Sequence, residues 1–536
     1  MTHTPVRRWQ WLVAAAAVGA LACAAAAIGA DTHRSASSTL VVDNSFTIKT
    51  SDPQRAFDPT ASIVDHAIFD TLFTYKGADL AHPIPHLVSS WKATNGAKTF
   101  TFRLKRNVHF ANGDPLTSAD VVFSLNRLIN IKGNPAFLLA GVSVKAAGPY
   151  AVVMRSKTPN GALPAILANP STGIVNSKLV KAHGGTAAGN ASKADKAENW
   201  LNSTSSVGAG SGPYTLAAYS TTSQITLTPN SRYWGGKKPA FSSVVVRNMI
   251  AATQLINIQR GPHEVAIDLA SNQAQSLKSK KNLKVSLTPS TWVFWLFANN
   301  NSDLSPVTSN KQWQQAVRYG LDYKSILSVA GPGAYQTPGI IPSMFLGALP
   351  KSAAVKTNIA RAKAALSASG QGSESVTLEY PSDLTINGVP FTTLAQKVQS
   401  NLKAIGIDVQ LSGAPTGTWL TKYRDGKMAF GLSLWGPDYP DPADYLTFAP
   451  GQLVGLRAGW PKGGDASIEK LAAKALVTTA GVKRKALYQQ FQRALNARGP
   501  YFPLMQPTQV FVATSDLRNA VYNATYSIDV TQVSPK

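Results

Sequence analysis

Between Val376 and Leu411 the chain spells out a strand, a helix and a second strand, and that order constrains the fold more than any other feature. Val376 to Tyr380 has strand character. Phe391, Leu394, Ala395, Val398, Leu402 and Ile405 then recur at helical spacing. Gly406 is placed to end that helix, and Ile407 to Leu411 forms the next strand. Two strands joined through a helix lie parallel with a right-handed crossover, which makes the chain α/β. At 536 residues it is too long for one ordinary core, so more than one domain is expected.

The rest of the sequence supplies further elements. Leu40 to Val42 and Phe46 to Lys49 read as strands, and Ser62 to Phe73 as a helix. Thr99 to Leu104 alternates as a half-buried strand should. Thr117, with Asp120 three residues on, caps a helix carrying Val121, Val122, Leu125 and Leu128 on one side. Lys181 to Ser211 is rich in small and polar residues and reads as a surface excursion with a short helix near Trp200. Pro213 to Leu216 and Ile225 to Thr228 form a hairpin; Val244 to Ile250 is a strand that leads into a helix through Ile258. An aromatic strand, Trp292 to Phe297, opens the second half. Trp313 to Val329 is helical, further helices start at Ile468 and Val482, and Val510 to Ala513 returns to strand.

The N-terminus bears on the compartment. Arg7 and Arg8 precede an apolar run from Trp9 to Ala30, broken only by Gln10, which is the layout of a secretory signal. Three readings stand: cleavage after Ala30, lipidation of Cys23 within Ala20-Leu21-Ala22-Cys23, and a retained anchor. Residues 31–39 read as a tether. Cys23 is the sole cysteine, so neither an intrachain disulfide nor a Cys-rich metal site is available.

Charge and motif exclude other classes. The formal charge is +25, but Lys and Arg are scattered without a run of five, whereas nucleic-acid binders concentrate their charge. The excess reads as a solvated basic surface, suited also to anionic lipid heads or an acidic habitat. The eight histidines are dispersed, and Pro83 and Pro85 forbid a helix that would align His82 with His86. There is no His-Glu-x-x-His and no Gly-x-Ser-x-Gly elbow, so no enzyme, metal or cofactor site is expected.

Several blocks carry a resemblance. They are Phe69 to Phe73 with Trp91; Phe100 to Leu128, containing VHFANGDPLTSADVVFS; Gly212-Pro213-Tyr214 with Tyr233 to Gly236; Gln314, Ala316 and Val317 with Leu321-Asp322; and Trp435 to Pro442, reading WGPDYPDP. In this order and spacing the chain resembles the family 5 extracellular solute-binding proteins, the oligopeptide, dipeptide and nickel receptors of ABC importers. It departs from them at Ala266, where an acid is usual.

The resemblance implies a two-lobe periplasmic-binding-protein-like α/β fold with an inserted extra subdomain and a hinge between the lobes. Residues 1–30 would be the signal and 31–39 the tether. Lobe I would take 40–75 and 161–290, with 76–160 inserted as the subdomain. Lobe II would take 291–501, and 502–536 would return to lobe I. The implied function is non-enzymatic: capture of a short peptide between closing lobes and delivery to ABC permease subunits, by a monomer held at the membrane surface if Cys23 is lipidated. A metal-chelate receptor, another amine-binding receptor and a peptide-sensing receptor are the alternatives.

Asp438 would meet the peptide's α-ammonium, with Trp435 and Tyr439 as apolar walls carrying polar tips. On residue chemistry alone Asp438 serves as well for a turn set by Pro437, Pro440 and Pro442. Trp295 and Asn299 are ligand candidates beside the reading of a buried aromatic strand. His66 is a candidate from the first lobe.

Overall fold

The computed structural model describes residues 38–371, 374–479 and 481–536; the signal, the tether and Cys23 lie outside them, apart from the last two tether residues. Among the described residues no helix is long and apolar enough to cross a membrane.

Three larger sheets organise the chain. The first has seven strands, in the order Leu283–Pro289, Thr508–Thr514, Glu264–Ala266, Thr39–Asn44, Ser243–Asn248, Gln224–Pro229 and Tyr214–Tyr219. Thr39–Asn44 runs parallel to both its neighbours, with Leu40 opposite Val244. The second has five strands: Val409–Ala414, Val376–Pro381, Phe430–Trp435, Val293–Ala298 and Tyr501–Met505. Val376 lies opposite Val409 in parallel register, joined through the helix Phe391–Lys403, as the strand–helix–strand pattern predicts. The third, Val88–Thr94, Thr99–Leu104, Ala151–Ser156 and Val142–Ala146, is antiparallel throughout.

The strand Val293–Ala298 is buried along its whole length because a different core packs on each face. Phe294, Leu296 and Ala298 join Val317, Leu394 and Leu432 in one core; Val293, Trp295 and Phe297 join Phe448, Tyr501 and the aromatic residues of the four-stranded sheet in another. The alternation is the ordinary period of a strand.

The sheets are linked through two adjacent crossings. The chain leaves the seven-stranded sheet after Pro289 and re-enters it at Thr508. The Ser290 N–H donates to the Pro507 carbonyl at 2.8 Å, and the Gln506 Nε2 donates to the Ser290 carbonyl at 2.6 Å. Tyr501–Met505 pairs with Val293–Ala298, so the chain rejoins the seven-stranded sheet only at Thr508.

Other differences have local causes. Phe46 to Lys49 is not a strand; the Phe46 N–H donates to Asn248 Oδ1 instead of a neighbouring backbone. The helix expected from Ser62 spans Pro59–Ile68, started by the Asp58 side chain, which accepts from the Ala61 N–H, and by proline in its first turn. Trp313 to Val329 divides into Lys311–Gly320 and Tyr323–Ala330, because Asp322 caps the second helix. The Thr117–Asp120 capping box forms as expected at Ser118–Ile131.

That helix also anchors the early chain. Arg127 is fully buried and donates to both Asp52 oxygens at 2.6 Å and to Asp195 at 2.7 and 2.8 Å. Removing one partner of such a buried pair costs about 3–5 kcal/mol. The network ties the segment leading to Asp58 against the 181–211 excursion.

Candidate functional site

The loop after Phe430–Trp435 is built to be rigid. Asp441 caps the short 3-10 helix Pro442–Phe448 by accepting from the Ala443 N–H at 2.8 Å, and it also accepts from buried Arg484 at 2.6 Å. Asp444 Oδ2 accepts from Trp435 Nε1 at 2.9 Å and from the Asp438 N–H at 3.2 Å, closing the loop across its base. Turn-making is thus done by Asp441 and Asp444. The Asp438 carboxylate has neither an ion-pair nor a hydrogen-bond partner among the described residues, and burial raises its pKa above the ordinary carboxyl value. Burial raises Asp444 as well, with the nearby Asp438 charge second. The two carboxyls therefore resist ionising together.

Asp438 faces a cavity of about 310 Å³. Gly436 to Pro440, Trp292 and Phe345 line it, together with Phe57 to Pro59, Ser62 and the C-terminal residues Tyr522, Ala524, Thr525 and Ser527. A second compartment of about 430 Å³ adjoins it, lined in part by Asn44, Asp268, Thr385 to Gly388 and Gln509. Trp292, Tyr522, Pro59 and Ser527 line both. Residues flanking the seven-stranded sheet thus confront residues flanking the five-stranded sheet, and the cleft lies beside the crossings at 290–292 and 506–507. Gly436 is required where it is, because a Cβ there would stand 2.5 Å from the Trp292 ring.

The residues expected at the site divide. Asp438 and Tyr439 line the cleft. Trp435 is half-buried behind the loop, held by Asp444 and edge-on to Phe448 at 5.9 Å, and is not a lining residue. Trp295 is fully buried, with Phe448 and Tyr501 edge-on at 5.2 and 5.4 Å. Asn299 is also fully buried; its amide donates to the carbonyls of Gly426 and Met428, and its oxygen accepts from the Asn301 N–H. Neither lines the cleft: Trp295 lies on a strand covered on both faces, and Asn299, just past its end, is held by backbone groups. His66 stacks on Tyr526 at 3.6 Å, with its Nε2 3.4 Å from Asp529. Burial alone would raise Asp529, but the His66 charge and hydrogen bonds hold it below its ordinary value. His66 therefore steadies the C-terminal segment that walls the cleft and is not itself a lining residue. Ala266, the departure from the family pattern, is fully buried in the strand Glu264–Ala266.

Sequence reasoning missed Trp292 as a wall, along with Asp444, Asp268 and Tyr522 to Ser527. Trp292 was within view as the first residue of the aromatic run. The others lie far from Asp438 in the chain or look like ordinary turn residues.

Comparison with known proteins agrees with this architecture. The family model described as bacterial extracellular solute-binding proteins, family 5 middle, matches residues 82–452. The chain is 27% identical to the probable D,D-dipeptide-binding periplasmic protein DdpA of Escherichia coli (strain K12), over 90% of this chain and 91% of that one. It is 25% identical to di/tripeptide-binding protein 2 of Pseudomonas aeruginosa (strain UCBPP-PA14), over 85% and 87%. HbpA2 from Haemophilus parasuis superposes with a TM-score of 0.81 at 20% identity, covering 93% of this chain and all of that one, and shares the two-lobe fold.

Proposed function

This chain belongs to the bacterial extracellular solute-binding proteins of family 5, and we propose that it is the exported receptor of an ABC importer, closing its two lobes on a short peptide and passing it to the membrane permease. The observation that carries this reading is the unpartnered Asp438 carboxylate on a rigid loop inside a cleft walled from both sides. A peptide ammonium would give Asp438 the counter-ion the chain withholds, so closing the cleft becomes favourable only when a ligand is present. Tyr439 and Trp292 would pack on the peptide, and the crossings at 290–292 and 506–507 would flex. The peptide-binding names of the relatives support the ligand class.

In this reading lobe I comprises 40–75, 161–290 and the chain after the crossing at 506–507, with 76–160 as a subdomain, and lobe II fills the interval between the crossings. The protein acts as a monomer without catalysis, held at the membrane if Cys23 is lipidated. The test is calorimetry on Asp438→Asn with a tripeptide and its N-acetylated form. A charge-assisted hydrogen bond contributes about 1.5–3 kcal/mol, so free-amine affinity should fall roughly ten- to a hundredfold while the acetylated ligand changes little. Equal losses on both ligands remove Asp438 from this role.

A further inference from the structure

The charged residues around the cleft are all of one sign. Asp58 and Asp438 line the first compartment and Asp268 the second, and neither compartment has a Lys, Arg or His among its described lining residues. Scarcity is not the cause, because the chain carries 52 Lys and Arg against 27 Asp and Glu. Cavities elsewhere do include cations: Lys311 and Arg498 in one, Arg484 and Lys485 in another.

Asp268 and Asp438 also keep acceptor capacity free. Asp58 spends Oδ1 on the Ala61 N–H at 2.9 Å and the Thr47 hydroxyl at 3.2 Å. Asp268 spends Oδ2 on the Ser45 N–H at 2.6 Å, Gln254 Nε2 at 3.0 Å and Asn44 Nδ2 at 3.2 Å. Asp58 also takes a backbone hydrogen bond from Thr60, whereas the second oxygen of Asp268 and both of Asp438's have no hydrogen bond within the chain among the described residues, and none of the three carboxylates is in an ion pair there. Between the compartments stand two aromatic rings, Trp292 and Tyr522, whose faces attract cations. A ligand carboxylate entering here would find like charge and no counter-ion, a costly arrangement once water is excluded.

We propose that the cleft selects by charge: its solute is a peptide of net positive charge, with the α-ammonium at Asp438 and a second cationic group in the Asp268 compartment, and a free C-terminal carboxylate weakens binding. This rests on the peptide-receptor reading above. Basic peptides and C-terminally amidated peptides are the classes that fit.

Calorimetry on the intact protein with three probes tests it: trialanine, trialanine amide and Ala-Ala-Lys amide. Affinity should rise about tenfold at the amide step, beside the partly buried Asp438, and roughly two- to fivefold at the lysine step, because Asp268 is exposed. Asp268→Asn, checked for folding by circular dichroism, should erase the lysine step and spare the amide step. Trialanine binding as tightly as its amide, or more tightly, overturns charge selection while leaving the peptide receptor intact. A lysine step that survives Asp268→Asn overturns the assignment of the second compartment. Failure of all three probes to bind overturns this inference together with the reading beneath it.

Discussion

The interlobe cleft and the outer cavity beside Trp460 differ in ways that volume alone would misjudge. The outer cavity, about 610 Å³, is larger than either compartment of the cleft, yet every lining residue falls between Asn300 and Gly499, within the stretch between the two crossings. Its charges are answered from within. Arg498 Nε donates to Asp465 at 2.6 Å, and Lys311 donates to Asn300 at 2.8 Å and to Gln314 at 3.2 Å. Burial, with Arg318 nearby, pushes the Lys311 amine down to about 8, easing the cost of holding it there. In the cleft Asp438 is left unanswered, and the walls come from distant parts of the chain. Unsatisfied charge between walls drawn from distant parts of the chain is what marks a ligand site, more than empty space.

Three perturbations test that contrast. Gly436→Val should have the largest effect, because the added carbons drive into the Trp292 ring. Overpacking of this kind costs about 1–3 kcal/mol, so peptide affinity should drop roughly ten- to a hundredfold; unchanged affinity would show that Trp292 can swing aside and is not a fixed wall.

Asp444→Asn should act next, and on stability. Burial raises Asp444, so its contribution is fully present below the ordinary value of 3.8 and is lost as pH rises through the raised value. Asparagine stays neutral and still offers an oxygen to Trp435 Nε1. The variant should therefore gain more than about 1 kcal/mol at mildly alkaline pH, and less at mildly acidic pH, in thermal unfolding. A gain independent of pH would show that Asp444 is not held protonated.

The smallest effect belongs to the outer cavity. Asp465 caps the helix Ala466–Val477 and pairs with half-exposed Arg498. Asp465→Ala should cost about 1 kcal/mol of stability and leave peptide affinity unchanged. A parallel loss of affinity would couple the two cavities and blur the distinction between them.

The legibility of the site follows from how far apart its parts are. Asp438 and Tyr439 stood out because the run WGPDYPDP carries the family resemblance; local composition by itself reports only a turn set by Pro437, Pro440 and Pro442. Trp292 and Trp295 sit three residues apart in a run of apolar residues, and nothing in that run says which indole reaches the cleft. An apolar strand covered on both faces has no amphipathic signature. Trp295 and Asn299 are fully buried, as the buried-strand reading of that run has them.

By itself the sequence determined what spacing of a few residues can encode: the parallel pair around Phe391–Lys403, the Thr117–Asp120 capping box and the proline-rich loop after Trp435. Tertiary structure alone decided that Tyr522, Ala524, Thr525 and Ser527 would share a cavity with Asp438, that Asp444 would take over the loop's hydrogen bonds, and that no Lys, Arg or His side chain would be among the described residues lining the cleft. Helix and strand periods act between neighbours in the chain, whereas burial and charge pairing depend on segments hundreds of residues apart, whose meeting only the packed fold specifies.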